Sequence, residues 1–409
     1  MSEWYDSQKK PSGKSNPLIW MCILNLPIMY LDGLISELTG FERLQTLYFF
    51  TLLIFAFVYM FHTNISIKWW LFLPFFGISF SVILSSFNIN NFGGVTSNLQ
   101  YFLRGPLLFT VLLIIFRNKL MSKHVRLFCI ATISTCTMST IVHAFFSIGF
   151  ANKGLRLNPI FNGYLSDTNS AVFLLLLTAL LYFKMLTGVL KKSLLVAILL
   201  FNVAALDSKA GILLIFLFLT IKTYLIMFGN TSSTRLILYS LISAFFVAII
   251  QFSDKIAYFI LNLVFSISVK SSSSLDFKFN NFDIFTIITA TRNLKYLALS
   301  DIYPPLENFM IFLFGNSFWI YKDNKLVESD LLDSLLALGF VGCLSIYFLY
   351  FWSMYIRSKN IDREFTIALF ILVLCLTVLV GHVFYSPASV IGLSLTLSYI
   401  SRTKDRNLI

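Results

Sequence analysis

The sequence predicts an all-α polytopic membrane protein with about twelve transmembrane helices. Hydrophobic residues make up 57% of its 409 residues and charged residues only 12%, whereas a soluble domain carries about 25% charged residues. Many of the hydrophobic residues form runs of roughly 20, the length that an α-helix needs to cross a bilayer core of about 30 Å. These two observations exclude a water-soluble globular protein.

Twelve hydrophobic stretches are candidate spans. In chain order they cover about 17–36, 44–62, 67–86, 98–116, 125–149, 168–186, 193–207, 210–228, 235–251, 331–354, 364–384 and 386–401. The stretches at 193–207 and 386–401 are short for a span. The chain therefore divides into spans one to nine with short loops (1–251), one large polar loop (252–330), and spans ten to twelve with a C-terminal tail (331–409).

Lys and Arg residues predict the orientation of the spans, because cytoplasmic loops are enriched in both. With the N-terminus inside, nineteen of them fall in inside segments and four in short outside loops, namely Arg43, Lys153, Arg156 and Lys209. Both termini are therefore predicted to be cytoplasmic and the large loop to lie outside. The net charge of +12 is explained by basic loops next to anionic lipid, so no nucleic-acid partner is predicted.

Cysteine and histidine give no indication of a metal or a disulfide. All five cysteines fall within predicted spans, and the four histidines are scattered along the chain. We therefore expect no disulfide, no metal site and no cofactor.

The large loop ends in a group of carboxylates. Glu328, Asp330 and Asp333 lie at the start of span ten. If the helix begins at Asp330, then Asp330 is an ordinary N-cap and Asp333 a partner of the helix dipole, which leaves Glu328 free to face a cavity. The loop also contains short apolar stretches that predict short helices, and Arg292 and Lys295 would share one face of such a helix.

Arg104 is predicted to lie about six residues into the fourth span, roughly 9 Å below the outer boundary. A charge at that depth costs several kcal/mol unless it is paired or hydrated. It indicates either an anion site that opens outward, or an arginine that snorkels or pairs with a carboxylate for structural reasons.

Other polar residues are predicted at the same outer face. Arg156 in a short outside loop works against the orientation rule, which an anionic ligand would explain. Asp167 and Asn169 fall at the start of span six, where such residues cap a helix. Lys209 lies at the tip between spans seven and eight, either paired with Asp207 or directed at a phosphate. A group of cations at one membrane face fits a pyrophosphate.

Four stretches resemble the bacterial O-antigen polymerases of the Wzy type, within the O-antigen ligase and polymerase membrane glycosyltransferases. They are Arg104 in its span, Arg156 with 167–171, residues 207–211, and residues 312–342. Lys209 stands where the family more often has arginine. Glu328 and Ser329 stand where ligases carry a His-Asn pair, and the arginine-x10-glycine motif of some polymerases is absent. The resemblance therefore favours a polymerase over a ligase.

The resemblance implies a GT-C-like fold in the bacterial inner membrane, with the large loop in the periplasm. It implies metal-independent transfer of a glycan from polyprenyl diphosphate to the non-reducing end of another polyprenyl-diphosphate-linked repeat unit. The implied partners are this donor and acceptor, membrane lipids and a polysaccharide chain-length regulator. An O-antigen ligase, a lipid-linked oligosaccharide flippase and a non-catalytic scaffold remain alternatives, although no similarity between two halves supports a transporter.

The same resemblance assigns roles within the site. The leaving diphosphate needs positive charge, and the acceptor hydroxyl needs a base. Glu328 is the first candidate for the base and Asp330 the second. Residues predicted to bind the diphosphate or the substrate are Arg104, Arg156, Lys209, Arg292, Lys295, Asp167, Asn169 and His382.

Overall fold

The structure, a computed structural model, describes residues 17–40, 44–63, 72–88, 95–116, 120–146, 164–165, 167–206, 309–315, 329–358, 363–379, 381 and 383–406. All regular structure within these ranges is helical. The helices are α1 (Pro17–Ile23), α2 (Asn25–Thr39), α3 (Leu44–His62), α4 (Leu73–Asn88), α5 (Val95–Ile115), α6 (Ser122–Phe146), α7 (Thr168–Met185), α8 (Val189–Ala205), α9 (Phe309–Phe314), α10 (Asp330–Ser358), α11 (Arg363–Leu379) and α12 (Pro387–Arg406).

Several of these helices are long and apolar enough to cross a membrane. Among the described residues, α3, α5, α6, α7 and α10 each contain such a segment, and α1 with α2 adds a sixth if their 60° bend lies within one span. Shorter apolar segments occur in α4, α11 and α12. An all-helical polytopic membrane protein is thus confirmed. Ten of the predicted spans coincide with a helix or with the bent pair, whereas those at 210–228 and 235–251 lie outside the described residues.

The bend between α1 and α2 is accommodated by hydrogen bonds to two other helices. In a continuous helix the Met21 carbonyl would accept the Asn25 N–H, but here the Tyr48 hydroxyl donates to it. The Asn25 side-chain amide in turn donates to the Ala388 carbonyl, 3.0 Å away. Backbone groups inside a membrane protein need such internal partners, so the bend is a packed feature of the bundle.

A second bend, at Gly339, divides α10 into a short segment (330–338) and a long one (340–358). Gly339 has φ 63° and ψ −167°, a conformation that favours glycine. Gly315, just after α9, has φ 77°, and a Cβ on either glycine would lie under 3.0 Å from backbone atoms around the other. The two glycines therefore let the end of α9 contact α10 at its bend.

Small residues bring α4 and α10 close together. A Cβ on Gly77 would lie under 3.0 Å from the Ser345 hydroxyl, and a Cβ on Gly342 would lie 3.1 Å from the Ser81 side chain. Close approach of backbones at small residues is the usual way in which helices pack in lipid. This packing fixes the long segment of α10 in the bundle.

Contacts between helix termini show which termini lie together at each end of the bundle. At one end, three contacts join segments that the orientation rule places inside. They are Trp20 with His124, the Lys184 ammonium over the Phe365 ring, and the Arg357 guanidinium donating to the Leu113 carbonyl. Asp167 and Asp330 begin α7 and α10 at the opposite end, as alternating crossings require.

Candidate functional site

The site is built on the connecting turn, residues 383–386, which joins α11 to α12. Val383, Phe384 and Tyr385 are each at most 1% exposed. Gly381, with φ 72°, ends α11 and donates its N–H to the Leu376 carbonyl, and Pro387 occupies the first position of α12, where it suits a helix start. Non-helical backbone that is buried in this way needs hydrogen-bond partners from the protein.

Asp330 supplies the first of these partners. Its carboxylate oxygen Oδ2 accepts the Phe384 N–H at 2.7 Å, and the side chain is 1% exposed. Ser334, one turn later in α10, donates to the Asp330 carbonyl, and its hydroxyl is hydrogen-bonded to that of Tyr385. The short segment of α10 is therefore docked directly on the connecting turn.

Tyr350, in the long segment of α10, supplies the second partner. Its hydroxyl donates to the Phe384 carbonyl at 2.8 Å, and its ring stacks on the Phe384 ring with 4.0 Å between centroids and 2° between planes. Tyr350 has no distinguishing feature in the sequence, because a tyrosine within an apolar span is usually an ordinary core residue. Only its position against a buried carbonyl distinguishes it.

Arg104 supplies the third partner. Its Nε donates to the Tyr385 carbonyl at 3.3 Å, and its guanidinium carbon lies 5.2 Å from the centroid of the Tyr101 ring, within cation–π range. α5 can approach the turn because a Cβ on Gly105 would lie under 3.0 Å from the Phe384 carbonyl oxygen.

The guanidinium of Arg104 is open to a further ligand. Arg104 is exposed although Gly105 and Pro106 beside it are buried. Within the described part of the chain, no ion pair to a carboxylate engages it, and its terminal nitrogens make no hydrogen bond. α5 begins at Val95, before the predicted start of the span at about residue 98. Arg104 therefore lies about 14 Å along the helix from its first residue.

Asp167 is the N-cap of α7. Its Oδ1 accepts the Ser170 N–H at 3.1 Å and its Oδ2 accepts the Ser170 hydroxyl. The Ser170 hydroxyl lies 2.6 Å from that of Ser386, which joins the cap to the end of the connecting turn. Asn169 is the second residue of α7 and is half-buried.

The two aspartates at the start of α10 have different partners. Asp333 accepts the Ser329 N–H at 3.1 Å and so stabilises the first turn of its own helix, as predicted for a helix beginning at Asp330. Asp330 instead binds the backbone of the connecting turn. The Asp330 carboxylate thus does more than cap its own helix, because it also binds the Phe384 N–H of the connecting turn.

In the structure, three of the predicted site residues thus contact consecutive residues of the connecting turn. Asp330 binds Phe384, Arg104 binds Tyr385 and Asp167 contacts Ser386. The N-terminal ends of α7, α10 and α12 also meet there, and the carboxylates of Asp167 and Asp333 already bind backbone amides at the start of α7 and α10, as the helix dipole favours. The other predicted residues, namely Arg156, Lys209, Arg292, Lys295, Glu328 and His382, lie outside the described residues, so their convergence with Arg104 stays a prediction.

No group of three or more His, Cys, Asp and Glu side chains in the described ranges is arranged to hold a metal ion. No protein-family model, curated protein or solved structure matches this chain.

Proposed function

We propose that this chain is a glycosyltransferase that polymerises a surface polysaccharide such as O-antigen from lipid-linked repeat units. In this proposal it has about twelve spans in a GT-C-like arrangement and acts at the periplasmic face of a bacterial inner membrane. The observation that carries the proposal is Arg104, an arginine within an apolar helix that is fixed through Nε and makes no hydrogen bond with its terminal nitrogens among the described residues, beside three helix N-termini. Such a site fits the diphosphate of a polyprenyl carrier.

Arg104 would bind the diphosphate of the donor. Its Nε is used by the Tyr385 carbonyl, which leaves the two terminal nitrogens to bind two phosphate oxygens at once, as the planar guanidinium allows. Negative charge grows on the diphosphate as its bond to the sugar breaks. A cation and helix dipoles held in place beforehand stabilise that charge most effectively.

Glu328 is the better candidate for the base. A base must come within hydrogen-bond distance of the acceptor hydroxyl, but Asp330 is 1% exposed and its carboxylate holds the Phe384 N–H. Glu328 lies two residues earlier in the chain. In the proposed reaction the acceptor hydroxyl attacks the anomeric carbon, its proton passes to Glu328, and the bond to the diphosphate breaks.

The proposal is tested by reconstituting the purified full chain with polyprenyl-diphosphate-linked repeat units alone. We expect a ladder of longer glycans on the lipid. Glu328→Gln should abolish the ladder because the amide accepts no proton at neutral pH. Glu37→Gln is the matched control, since it makes the same change at a carboxylate that is exposed at the end of α2.

Two outcomes would contradict the proposal at different points. If no ladder forms and the lipid instead crosses the bilayer, the chain is a transporter. If Glu328→Gln extends glycans at the wild-type rate, the polymerase assignment stands but the base is another residue.

A further inference from the structure

Three successive peptide groups of the connecting turn are each held by one side chain. Asp330 accepts the N–H of the group between residues 383 and 384 at 2.7 Å. Tyr350 donates to the carbonyl of the next group at 2.8 Å, and Arg104 donates to the carbonyl of the third at 3.3 Å. Because planar peptide groups are linked by only two rotatable dihedrals per residue, fixing the first two restricts the orientation of the third.

The first two of these side chains belong to one helix and reach the same residue only because α10 is bent. Asp330 and Tyr350 are 20 positions apart, which corresponds to about 30 Å along a straight α-helix. Both nevertheless hydrogen-bond the backbone of Phe384. The bend at Gly339 therefore closes α10 around Phe384.

Neither Asp330 nor Tyr350 is placed to touch a ligand directly. Asp330 is 1% exposed, and Tyr350 and Phe384 are 0% exposed. Arg104 is the exposed member of the set, and its link to the other two is the backbone of the connecting turn. The described contacts therefore connect Asp330 and Tyr350 to a ligand at Arg104 through the backbone of the connecting turn.

We propose that Asp330 and Tyr350 are positioning residues for Arg104, which aim its guanidinium at the diphosphate by fixing the backbone carbonyl to which it is bound. The inference rests on the proposed function, since it concerns the same diphosphate site. It gives Tyr350 a role and makes Asp330 a positioning residue in place of a base.

The direction in which Asp330→Asn changes the affinity for an anion distinguishes a positioning role from a purely electrostatic effect. Asp330→Asn removes a negative charge near an anion site, which by Coulomb's law alone should strengthen anion binding. Positioning predicts the opposite result, because the amide is a weaker acceptor for the Phe384 N–H than the carboxylate is. The turn, and Arg104 with it, then becomes less fixed.

The experiment measures binding of undecaprenyl diphosphate without a glycan to the full chain in lipid nanodiscs. We expect saturable binding by the wild type and its loss in Arg104→Gln. Tyr350→Phe keeps the ring stacked on Phe384 but removes the hydroxyl, and Asp330→Asn keeps the shape of the side chain. Each should weaken binding roughly three- to tenfold, the effect of losing one hydrogen bond.

Matched controls exist for both substitutions. Tyr347→Phe makes the same change one turn away on α10, where the Tyr347 ring lies edge-on to Phe384. Asp32→Asn removes another buried carboxylate that accepts a backbone N–H, that of Gln45 at 3.0 Å. Both variants should bind with wild-type affinity.

A kinetic measurement distinguishes positioning from a general loss of structure. In the polymerisation assay, Tyr350→Phe should raise KM for the donor lipid, whereas a variant that is partly unfolded would lower kcat at unchanged KM. If Asp330→Asn does not fold, Tyr350→Phe decides the question, since it leaves the core volume nearly unchanged.

Each outcome bears on a different claim. Wild-type affinity in Tyr350→Phe, or tighter binding in a folded Asp330→Asn, would overturn the positioning roles and leave the proposed function intact. A wild-type protein that does not bind the probe would overturn the proposed function and the inference together.

Discussion

At the scale of single residues, the site depends on how closely backbone atoms approach one another. Gly105 shows this most clearly. It stands beside Arg104 in α5, and the Phe384 carbonyl oxygen occupies the space that a Cβ would need. The absence of a side chain at Gly105 is thus what allows Arg104 to reach the connecting turn.

Gly105→Ala is predicted to destabilise the protein. Alanine in a helix interior is usually favoured over glycine by about 1 kcal/mol, but overpacking typically costs about 1–3 kcal/mol, and here the obstacle is backbone. We expect a lower unfolding temperature in detergent and weaker diphosphate binding. A higher unfolding temperature, as helix propensity alone predicts, would contradict the close approach.

At the scale of secondary-structure elements, the bent α10 is the central feature. Its short segment carries Asp330 and Ser334 to the connecting turn, and its long segment carries Tyr350 to the same place. Gly339 allows the bend, and Gly315 allows α9 to pack against it. One helix can therefore hold the turn from two sides.

Gly339→Ala is predicted to abolish polymerisation. The substitution places a side chain at φ 63° and ψ −167°, a conformation nearly restricted to glycine that costs about 1–3 kcal/mol, and it puts a Cβ within 3.0 Å of the Gly315 backbone. Gly40→Ala is a control for positive φ alone, because Gly40 has φ 73° and ψ 6° but nothing within 4 Å of its Cβ position. Both variants should show the strain as a lower unfolding temperature, and only Gly339→Ala should lose the glycan ladder and the diphosphate binding.

Equal losses of unfolding temperature in the two variants would mean that backbone strain alone explains the effect. The contact between Gly315 and Gly339 would then have no separate importance.

At the scale of the whole molecule, the helix ends divide into two groups that agree with the predicted alternation of crossings. Arg357 donates to a carbonyl near the end of α5, and Lys184 near the end of α7 lies over Phe365 at the start of α11. Both cations belong to segments that the orientation rule assigns to the cytoplasm. The aspartates that hold the connecting turn lie at the other end.

The orientation is tested with single cysteines and a membrane-impermeant maleimide in intact cells. Leu38 at the end of α2 and Leu190 at the start of α8 are 73% and 84% exposed, so both positions tolerate substitution. We expect Leu38→Cys to be labelled directly, and Leu190→Cys only after permeabilisation. The unsubstituted protein supplies the background, since its cysteines are largely buried, and the reverse pattern would contradict the predicted orientation.

The sequence by itself determined the features that depend on residues close together in the chain. Runs of apolar residues located the apolar helices that the structure describes, and the Asp-Thr-Asn sequence located the start of α7 with Asp167 as its cap. Arg104 was also recognisable, because a charge within an apolar run is unusual wherever the chain folds. These features depend on the length of an apolar run and on short-range hydrogen bonds, both of which are determined by residues close together in the chain.

Only the tertiary structure decided where the site is assembled. The bonds that hold the connecting turn join residues 281 positions apart for Arg104 and 54 apart for Asp330, and no local pattern connects them. Tyr350 and Gly339 have no distinguishing feature in the sequence. Their importance comes from distant residues, because Tyr350 packs against Phe384 and Gly339 against Gly315. Buried backbone must be satisfied by whichever side chains the fold brings near it, and that choice is made by the packing of the bundle.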